Sequence, residues 1–480
     1  MRQATRRRRR RSLLALGLVL AAVALTGAAL PRDGFDRRSG QLESALLAAI
    51  RAQHFDRVVD FGPVEGACPG SPWCPSPAPT IAHMPNIDLA VIALDRSGRP
   101  RAAADVLVSR DYPEGIGAPI GDDLGTDDVR WRRWNPDRWN GGTFSETDGS
   151  RSSTVGWKDN PPLTEADDIV PGRDEAPVEF MAPYPASTFK LLVAFHTLRL
   201  VDRGTLSLDR PYRYAPPDGP AMTRTTRELL DRMITESDND SAKALLKQLH
   251  DLGEVDHLNE GLRDLGLATL QVNGTDPATG ANWGIGQVTM TSLDTARLLL
   301  LMSGSPGVLW RTPGGKPVRA DDVLSRDSRA LLLGMLADQG WNDILTTSNW
   351  CGRAYPTQGI PSLVADRWVD PGTGTVSVAD KAFGQDVRPC NERAEVSFAH
   401  KTGFTYNYLA DAGIVRSFHG SRGDYIVVMM SNLGYRYTDP RQAAVTQPVC
   451  GDDPGQDDGV CYTEKFAALG RSVDAILRRR

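Results

Sequence analysis

The middle of the chain has the hydrophobic spacing of amphipathic helices. Over residues 187–203 apolar side chains recur at three- and four-residue intervals, and Gly204 follows as a helix stop. The same periodicity predicts four more helices, at residues 225–234, 239–250, 291–302 and 327–336. A capping box between Thr291 and Asp294 is expected to open the helix at 291–302. Residues 187–340 are therefore predicted to be mostly helical.

Strand patterns lie on either side of this helical region. Apolar runs predict strands at residues 86–94, 396–399, 410–417 and 425–431, and amphipathic segments at 41–53 and 465–477 predict terminal helices. Strands at both ends with helices between them predict a discontinuous α/β (α+β) domain with an inserted all-helical domain. We expect the active site in the cleft between the two.

This organisation implies domain boundaries. We expect the discontinuous domain to comprise residues 41–190 and 395–480, with a polar insertion at about 105–175. The helical domain would span 191–345, and a second insertion would span 346–394.

The first thirty residues read as a targeting segment. Arg2 and the run from Arg6 to Arg11 are followed by an apolar stretch of 18 residues, 13–30, whose end carries small residues. This pattern is typical of a secretory signal peptide, and the apolar stretch is also long enough for an uncleaved membrane anchor. In both cases the body of the protein is predicted to lie outside the cytoplasm.

Charge and composition narrow the possible partners. The 480-residue chain has a net charge of −5, and because residues 1–30 contain seven arginines and no acid, the remainder carries −12. An acidic body repels phosphate backbones, so we do not expect nucleic-acid binding. With 40% hydrophobic residues, the composition is that of a globular protein large enough to bury a substantial core.

Two segments interrupt the regular pattern. Residues 109–175 are rich in Asp, Gly, Pro and Trp, and their tryptophans could either grip a ligand or form a small local core. Residues 346–394 come directly before the strand at 396 and could form either a flap beside the cleft or a loop away from it.

Six cysteines occur in the body of the chain. Their proximity in sequence suggests three disulfides, Cys68–Cys74, Cys351–Cys390 and Cys450–Cys461. An even number in an exported chain favours disulfides over metal ligation, and no CxxC pair or His/Cys cluster is present in the sequence.

Three short sequence motifs contain candidate catalytic residues. The first is Ser187-Thr-Phe-Lys190, at the start of a predicted helix. Positions i and i+3 share a helix face, about 5–6 Å apart at Cβ. A serine hydroxyl needs a neighbouring base to act as a nucleophile, and a lysine can be that base when burial or a nearby cation lowers its pKa. The free N–H groups at the helix start favour a developing oxyanion.

The other two strings are Ser237-Asp-Asn239, in a turn between helices, and Lys401-Thr402-Gly403, on a strand. The Ser237 hydroxyl could relay a proton from Lys190, and Asn239 could orient that lysine and bind a substrate amide. Lys401 and Thr402 suit a substrate carboxylate. A glycine at 403 would let substrate backbone lie against the strand.

These strings together resemble the superfamily of class A β-lactamases and penicillin-binding proteins. The resemblance extends to the segments around them: TRTTRELLDRMITESDNDSAKALL, TMTSLDTARLLLLM and EVSFAHKTGFTYNYLADAGIV. It implies a β-lactamase-like fold with an antiparallel sheet. It also implies an acyl-enzyme on Ser187, a base at Lys190, and an oxyanion hole formed by the N–H groups of Ser187 and Phe404.

The segment that corresponds to the Ω-loop of that superfamily departs from it. Class A β-lactamases carry there a glutamate that activates the deacylating water, whereas residues 270–287 contain no Glu and a single acid, Asp276. Asp276 is either a deacylating group or a turn residue before Pro277. Rapid β-lactam hydrolysis is therefore less expected than the slow deacylation of a penicillin-binding protein or D-Ala-D-Ala peptidase.

Other classes of protein fit the sequence less well. A catalytically impaired cell-wall peptide-binding protein on the same fold remains an alternative. The sequence has no GxSxG elbow and no HExxH, and no metal or other cofactor is expected. We expect a monomer whose partner is a β-lactam or a cell-wall peptide, with membrane contact only through the N-terminal segment.

Overall fold

The structure is a computed structural model. It describes residues 32–60, 80–81, 84–134, 164–351, 358–405, 407–418, 423–434, 437–438 and 464–478.

A six-stranded antiparallel sheet forms the centre of the molecule. Its strands, labelled in chain order, are β1 Ile87–Leu94, β2 Pro100–Val108, β3 Ile116–Gly117, β4 Val396–Phe404, β5 Leu409–Ser417 and β6 Tyr425–Ser431. Their order in the sheet is β4-β5-β6-β1-β2-β3. The N-terminal and C-terminal groups of strands meet where β6 pairs with β1, with Val427 opposite Val91. The edge position leaves one side of β4 open to the helical region.

Eight helices account for most of the remaining regular structure used below. They are α1 Arg32–Arg51, α2 Lys190–Asp202, α3 Thr226–Thr235, α4 Asn239–Asp251, α5 Val255–Asp264, α6 Ser292–Ser303, α7 Arg326–Ala337 and α8 Glu464–Arg478.

The two faces of the sheet belong to two different hydrophobic cores. Along β1, Ala90 and Ile92 pack in the core shared with helices α2 to α7, whereas Leu89 and Val91 pack in the core shared with α1 and α8. Successive side chains of a strand point to opposite faces, so a wholly apolar strand is buried on both. The all-buried pattern of β1 is thus explained by helices on either side of the sheet.

Local sequence explains where the helices beside the site begin. Thr225 caps α3 in a capping box with Glu228. Asp238 caps α4 by accepting hydrogen bonds from the backbone N–H groups of Asp240 and Ser241. The predicted box at α6 is only half formed, because Thr291 accepts from Asp294 N–H while the Asp294 carboxylate bonds Thr269 and Arg297 instead.

The insertion after β2 builds part of the core. Residues Val129–Arg132 form a strand parallel to Val178–Met181. Trp131 packs against Phe180, and Trp134 packs edge-on to Tyr408. These two tryptophans are buried, so they form local core rather than a ligand-gripping surface.

The described residues of the segment 346–394 pack beside the cleft. Trp350, Phe383 and several valines form a separate small core. Arg367 forms an ion pair with Asp231 of α3 at 2.9 Å. The segment therefore lies against the helix that leads into the Ser237 turn, which favours the flap interpretation over a remote loop.

Two elements of the structure add to those predicted from the sequence. Helix α5 and the strand β2 were not predicted, although the apolar spacing of Leu258 and Leu262 is helical. The strand β2 runs to Val108, so the polar insertion begins after it.

The next expectations concern the three predicted disulfides and the targeting segment. A disulfide joins Cys351 and Cys390, as predicted. The pairs Cys68–Cys74 and Cys450–Cys461 and the targeting segment 1–30 lie outside the described residues. Within the described part of the chain, no helix is long and apolar enough to cross a membrane.

Candidate active site

Ser187 occupies an unusual position in the fold. It lies in a short 3₁₀ turn, Ala186–Phe189, that leads directly into α2. Within residues 180–198 its side chain is the only one that is not buried. Ala186 has a φ of 46°, in the left-handed region that costs a non-glycine residue about 1–3 kcal/mol. The fold therefore holds a strained backbone in place directly before the partly exposed Ser187.

Lys190 is buried one helical turn after Ser187. Its Nζ donates hydrogen bonds to the Ser237 carbonyl at 2.5 Å and to Asn239 Oδ1 at 2.7 Å, and it lies 3.3 Å from the Ser237 hydroxyl. Burial lowers the pKa of Lys190 to about 7, with a smaller contribution from the charge of Lys243 and an opposing one from Asp238. A large fraction of this amine is therefore neutral near pH 7.

The neutral amine has the geometry of a base. Two N–H groups suffice for the bonds to Ser237 O and Asn239 Oδ1, which leaves the lone pair of Lys190 free. Ser187 Oγ makes no hydrogen bond to another described residue in this resting arrangement. Catalytic hydrogen bonds commonly tighten only when substrate is bound.

Ser237 connects the two lysines. Its hydroxyl accepts a hydrogen bond from Lys401 Nζ at 2.9 Å, and the same oxygen lies 3.3 Å from Lys190 Nζ. The backbone of Ser237 is left-handed, with a φ of 62°, which turns the chain sharply between α3 and α4. The pKa of Lys401 is held well below its usual value, first by burial and second by the charge of Lys190.

Phe404 offers a backbone donor at the open edge of β4. Thr405 N–H donates to Tyr408 O, and hydrogen-bonded and non-bonded pairs alternate along an antiparallel ladder. The next pair, Phe404 and Leu409, is therefore a non-bonded pair, and the N–H of Phe404 points away from β5. Because β4 is an edge strand, this N–H faces the side on which the Ser187 turn packs.

Packing of β4 explains why residue 403 is a glycine, and the sequence did not reveal this. A Cβ at this position would lie 2.5 Å from the carbonyl oxygen of Pro185 and 2.8 Å from the backbone nitrogen of Thr188. Such contacts are too close for any side chain. The glycine lets β4 approach the Ser187 turn itself, rather than only making room for substrate.

The hydroxyl of Thr402, which was expected to bind a substrate carboxylate, lies elsewhere. The Thr402 hydroxyl is buried and has no hydrogen-bond partner among the described residues. It lies on the same strand face as His400, whose ring nitrogens contact Asp411 Oδ1 at 2.7 Å and Asn342 Oδ1 at 3.2 Å. In this conformation the Thr402 hydroxyl is not open to a substrate carboxylate, so Lys401 is the better-placed group.

Asp276 has the contacts of a turn residue. Its carboxylate accepts hydrogen bonds from Ala278 N–H and from the Thr279 hydroxyl, both at 2.8 Å, and these bonds lower the pKa of Asp276. The adjacent Gly280 packs on the backbone of α4 at Lys243 and Lys247. These contacts argue against Asp276 as a deacylating base.

Aromatic groups of this segment lie at the nucleophile turn instead. The Trp283 ring packs on Phe189 at 5.3 Å between centroids, and the Trp283 carbonyl accepts a 2.8 Å hydrogen bond from the Tyr184 hydroxyl. Burial raises the pKa of Tyr184. Sequence reasoning missed both residues, and their only signal was nearness to Ser187 and to the gap where a Glu was expected.

Within the described ranges, no group of three or more His, Cys, Asp or Glu side chains could hold a metal ion.

Comparison with known proteins identifies the family. A family model described as the beta-lactamase enzyme family matches residues 182–447, more than half of the chain. The chain belongs to the beta-lactamase enzyme family. The matched range contains Ser187, Lys190, Ser237 and Lys401, and the predicted superfamily and the predicted antiparallel α/β fold are confirmed.

Several solved structures are similar to this beta-lactamase family member. A beta-lactamase from Sphaerobacter thermophilus is 14% identical, with 89% of this chain and 95% of that chain covered and a TM-score of 0.40. PBP-A is 20% identical, covering 62% of this chain and 81% of that chain, with a TM-score of 0.36. A beta-lactamase from Chitinophaga pinensis is 18% identical over 61% of this chain and 85% of that chain, with a TM-score of 0.36. Among curated proteins, no sequence matches this chain.

Proposed function

We propose that this family member is a serine acyl-transferring hydrolase that forms an ester on Ser187 with β-lactams or with peptides ending in D-Ala-D-Ala. The observation that carries the proposal is the shared hydroxyl of Ser237, which lies within hydrogen-bond reach of both Lys190 and Lys401. This contact joins a base, a proton relay and a carboxylate-binding cation in one cluster.

Acylation on this site would proceed in balanced steps. Neutral Lys190 takes the proton of Ser187 as Oγ forms a bond to the carbonyl carbon of the substrate. The N–H groups of Ser187 and Phe404 stabilise the oxyanion. The C–N bond then breaks, and the leaving nitrogen receives a proton through the Ser237 hydroxyl, which is replenished by Lys190.

The charges of the cleft indicate the substrate class. Both β-lactams and D-Ala-D-Ala peptides carry a carboxylate beside the scissile amide. Lys401 is the cation placed to receive that carboxylate, and Asn239, which is exposed, can bind an amide of the acyl chain.

We further propose that the acyl-enzyme is long-lived. Deacylation needs a base that activates water against the ester. In the segment 270–287 the only acid, Asp276, is engaged in its own turn, and Trp283 lies at the nucleophile turn. These contacts support a penicillin-binding or peptidase-like activity over rapid β-lactam turnover.

The test is intact mass spectrometry of the protein during incubation with a penicillin. We expect one adduct on Ser187 that persists after excess drug is removed. The variant Ser187→Ala should form none while remaining folded, and Ser44→Ala, which changes an exposed serine of α1, should react like the wild type.

Three outcomes separate the candidate functions. A persistent adduct supports the proposal, and cleavage of a D-Ala-D-Ala peptide by the same protein would establish peptidase activity. Rapid release of penicilloate would identify a β-lactamase. No adduct with either probe would favour the cell-wall peptide-binding alternative.

We also propose that the protein acts outside the cytoplasm as a monomer. The basic and apolar pattern of residues 1–30 supports export. The Cys351–Cys390 disulfide supports an oxidising compartment.

A further inference from the structure

A cavity lies between the insertion after β2 and the helices. Its volume is about 170 Å³, enough for several water molecules. Its walls include Asp123 and residues 125–127 of the insertion, the start of α6, and residues 268–269, which directly precede the segment 270–287. None of Ser187, Lys190, Ser237 or Lys401 lines it, so it is separate from the candidate active site.

Arg297 of α6 is the central side chain of this cavity. The side chain is only 2% exposed. Its Nη1 donates to the Gly266 carbonyl and to Asp294 Oδ1, both at 2.7 Å. Trp310 packs on the guanidinium, whose carbon lies 4.7 Å from the ring centroid. These contacts fix the plane and the direction of the group.

The other edge of the same guanidinium has only a longer ion-pair contact, 3.9 Å from Nη2 to Asp123 Oδ2. Arg297 Nε and Nη2 have no hydrogen-bond partner among the described residues, although both are buried. These two nitrogens form the fork that binds carboxylate or phosphate oxygens with two parallel hydrogen bonds. A buried fork without a hydrogen-bond acceptor is costly, and within the described part of the chain no acceptor lies within hydrogen-bond distance of this donor pair.

A hydroxyl and another cation accompany this fork. Thr126 Oγ1 is buried and also lacks a hydrogen-bond partner within the described part of the chain. Arg263, on the cavity rim, makes no ion pair with the residues described, and its side chain is exposed.

Three carboxylates line the cavity, and two of them are already neutralised. Asp294 pairs with Arg297 Nη1, and Asp127 pairs with Arg173 at 2.6 Å. The third, Asp123, has its Oδ2 3.9 Å from Arg297 Nη2, beyond hydrogen-bond distance. Asp123 is partly exposed, so it lies on the accessible side of the site.

We propose that this cavity binds a small oxyanion, a carboxylate or a phosphate, on the Nε and Nη2 fork of Arg297, with the Thr126 hydroxyl as a further donor and Arg263 at the entrance. Arg297 also holds Asp294, which accepts hydrogen bonds from the backbone and hydroxyl of Thr269. Thr269 directly precedes the segment 270–287. A bound anion would therefore stabilise the base of that segment.

The experiment titrates the full chain with inorganic phosphate and, separately, with acetate, against chloride at equal ionic strength. The readouts are the shift in melting temperature and the heat of binding. We expect saturable stabilisation by at least one of the two, and the anion that binds tells whether the source is phosphate-like or carboxylate-like. If neither anion gives a saturable effect, the proposal is wrong.

Two nearly isosteric variants should change the affinity for the anion in opposite directions. Thr126→Val removes one donor and should weaken anion binding about tenfold, without destabilising the anion-free protein. Asp123→Asn removes the competing carboxylate, keeps the acceptor for Gly125 N–H, and should tighten binding. Arg263→Ala should weaken binding.

Controls exclude other anion sites. Arg326→Ala, which changes an exposed arginine at the start of α7, should leave the affinity unchanged. An anion bound between Lys190 and Lys401 would be insensitive to Thr126→Val and to Asp123→Asn. Equal affinity in these two variants and in the wild type would therefore overturn the proposal.

Discussion

Lys401 donates a hydrogen bond of 2.9 Å to the hydroxyl of Ser237, although 164 residues separate the two in the chain. The edge strand β4 carries the lysine, and the turn between α3 and α4 carries the serine. This contact therefore joins the sheet to the helical region at the candidate active site. A second cation, Lys190, lies 3.3 Å from the same oxygen. Like charges this close disfavour each other's protonation, which suits a lysine base at neutral pH.

The pH dependence of acylation tests the role of Lys190. Because burial lowers the pKa of Lys190 to about 7, its neutral form increases about tenfold per pH unit below pH 7 and levels off above it. We expect the rate of penicillin acylation to follow this profile. Lys190→Met should reduce the rate by about 10²–10⁴ and abolish the dependence. A flat profile in the wild type between pH 5.5 and 8.5 would assign the base elsewhere.

Asp276→Asn tests whether this carboxylate takes part in deacylation. Asparagine keeps the oxygen that accepts from Ala278 N–H, so the turn should be preserved. We expect the lifetime of the penicillin adduct, followed by mass spectrometry, to change less than about twofold. A lifetime extended tenfold or more would identify Asp276 as a deacylating group.

Trp341 is predicted to position the Ser237 turn. Its indole Nε1 donates a 2.8 Å hydrogen bond to the Glu236 carbonyl, and its ring packs edge-on to Phe404 at 5.7 Å between centroids. Trp341→Phe keeps a ring but removes the donor. We expect acylation to slow about 2–10-fold, the equivalent of one hydrogen bond, with the circular dichroism spectrum unchanged.

Trp368→Phe is a matched control for this variant. It removes a similar indole hydrogen bond, 2.7 Å long to the Asp338 carbonyl, away from the Ser237 turn. We expect a comparable loss of stability with wild-type acylation. Equal slowing in both variants would show that Trp341 acts only through global stability.

The buried pair Asp88 and Asp105 predicts a pH-dependent stability. Both lie on adjacent strands of the sheet at 0% exposure, and burial raises the pKa of Asp88 from 3.8 to about 6 and that of Asp105 well above its usual value. A carboxyl with a raised folded-state pKa binds its proton more tightly when folded. Stability is therefore greatest below the unfolded pKa and falls as pH rises from 3.8 towards the raised values.

Asp105→Asn should flatten this dependence, because the amide stays neutral and can still donate to Asp88. Urea unfolding at pH 4.5 and pH 8 measures the difference. We expect the wild type to lose more stability than the variant over this interval. Asp218→Asn, at an exposed turn, should behave like the wild type. An equal loss in Asp105→Asn would show that the pair does not control the pH dependence.

The disulfide of the second insertion should contribute strongly to stability. Cys351 and Cys390 close a loop with a sequence separation of 39, which corresponds to about 3–4 kcal/mol in the chain-entropy model. The double variant Cys351→Ser with Cys390→Ser should lower the free energy of unfolding by about this amount in denaturant titrations. Unchanged stability would mean that the local core around Trp350 holds the insertion without the bond.

Much of the secondary structure around the site follows from the sequence alone. The periodicity and caps of α2, α3, α4, α6 and α7 depend on residues within a few positions of each other, so the predicted ends of these helices lie within three residues of the observed ones. Helix α5 has the same kind of signal and was overlooked. The three motifs that carry Ser187, Ser237 and Lys401 were also placed in the correct local structure, for the same reason.

Only the tertiary structure decided the electrostatics and the orientation of individual groups. The lowered pKa of Lys190 depends on burial and on the charge of Lys243, and Asp238 opposes it; both of these residues lie about fifty positions away in the chain. The sequence places Thr402 beside Lys401, but packing against the far face of the sheet buries its hydroxyl. Desolvation and hydrogen-bond partners come from segments that are distant in the chain. Local patterns therefore determined which residue types were available, while the fold determined which of them meet.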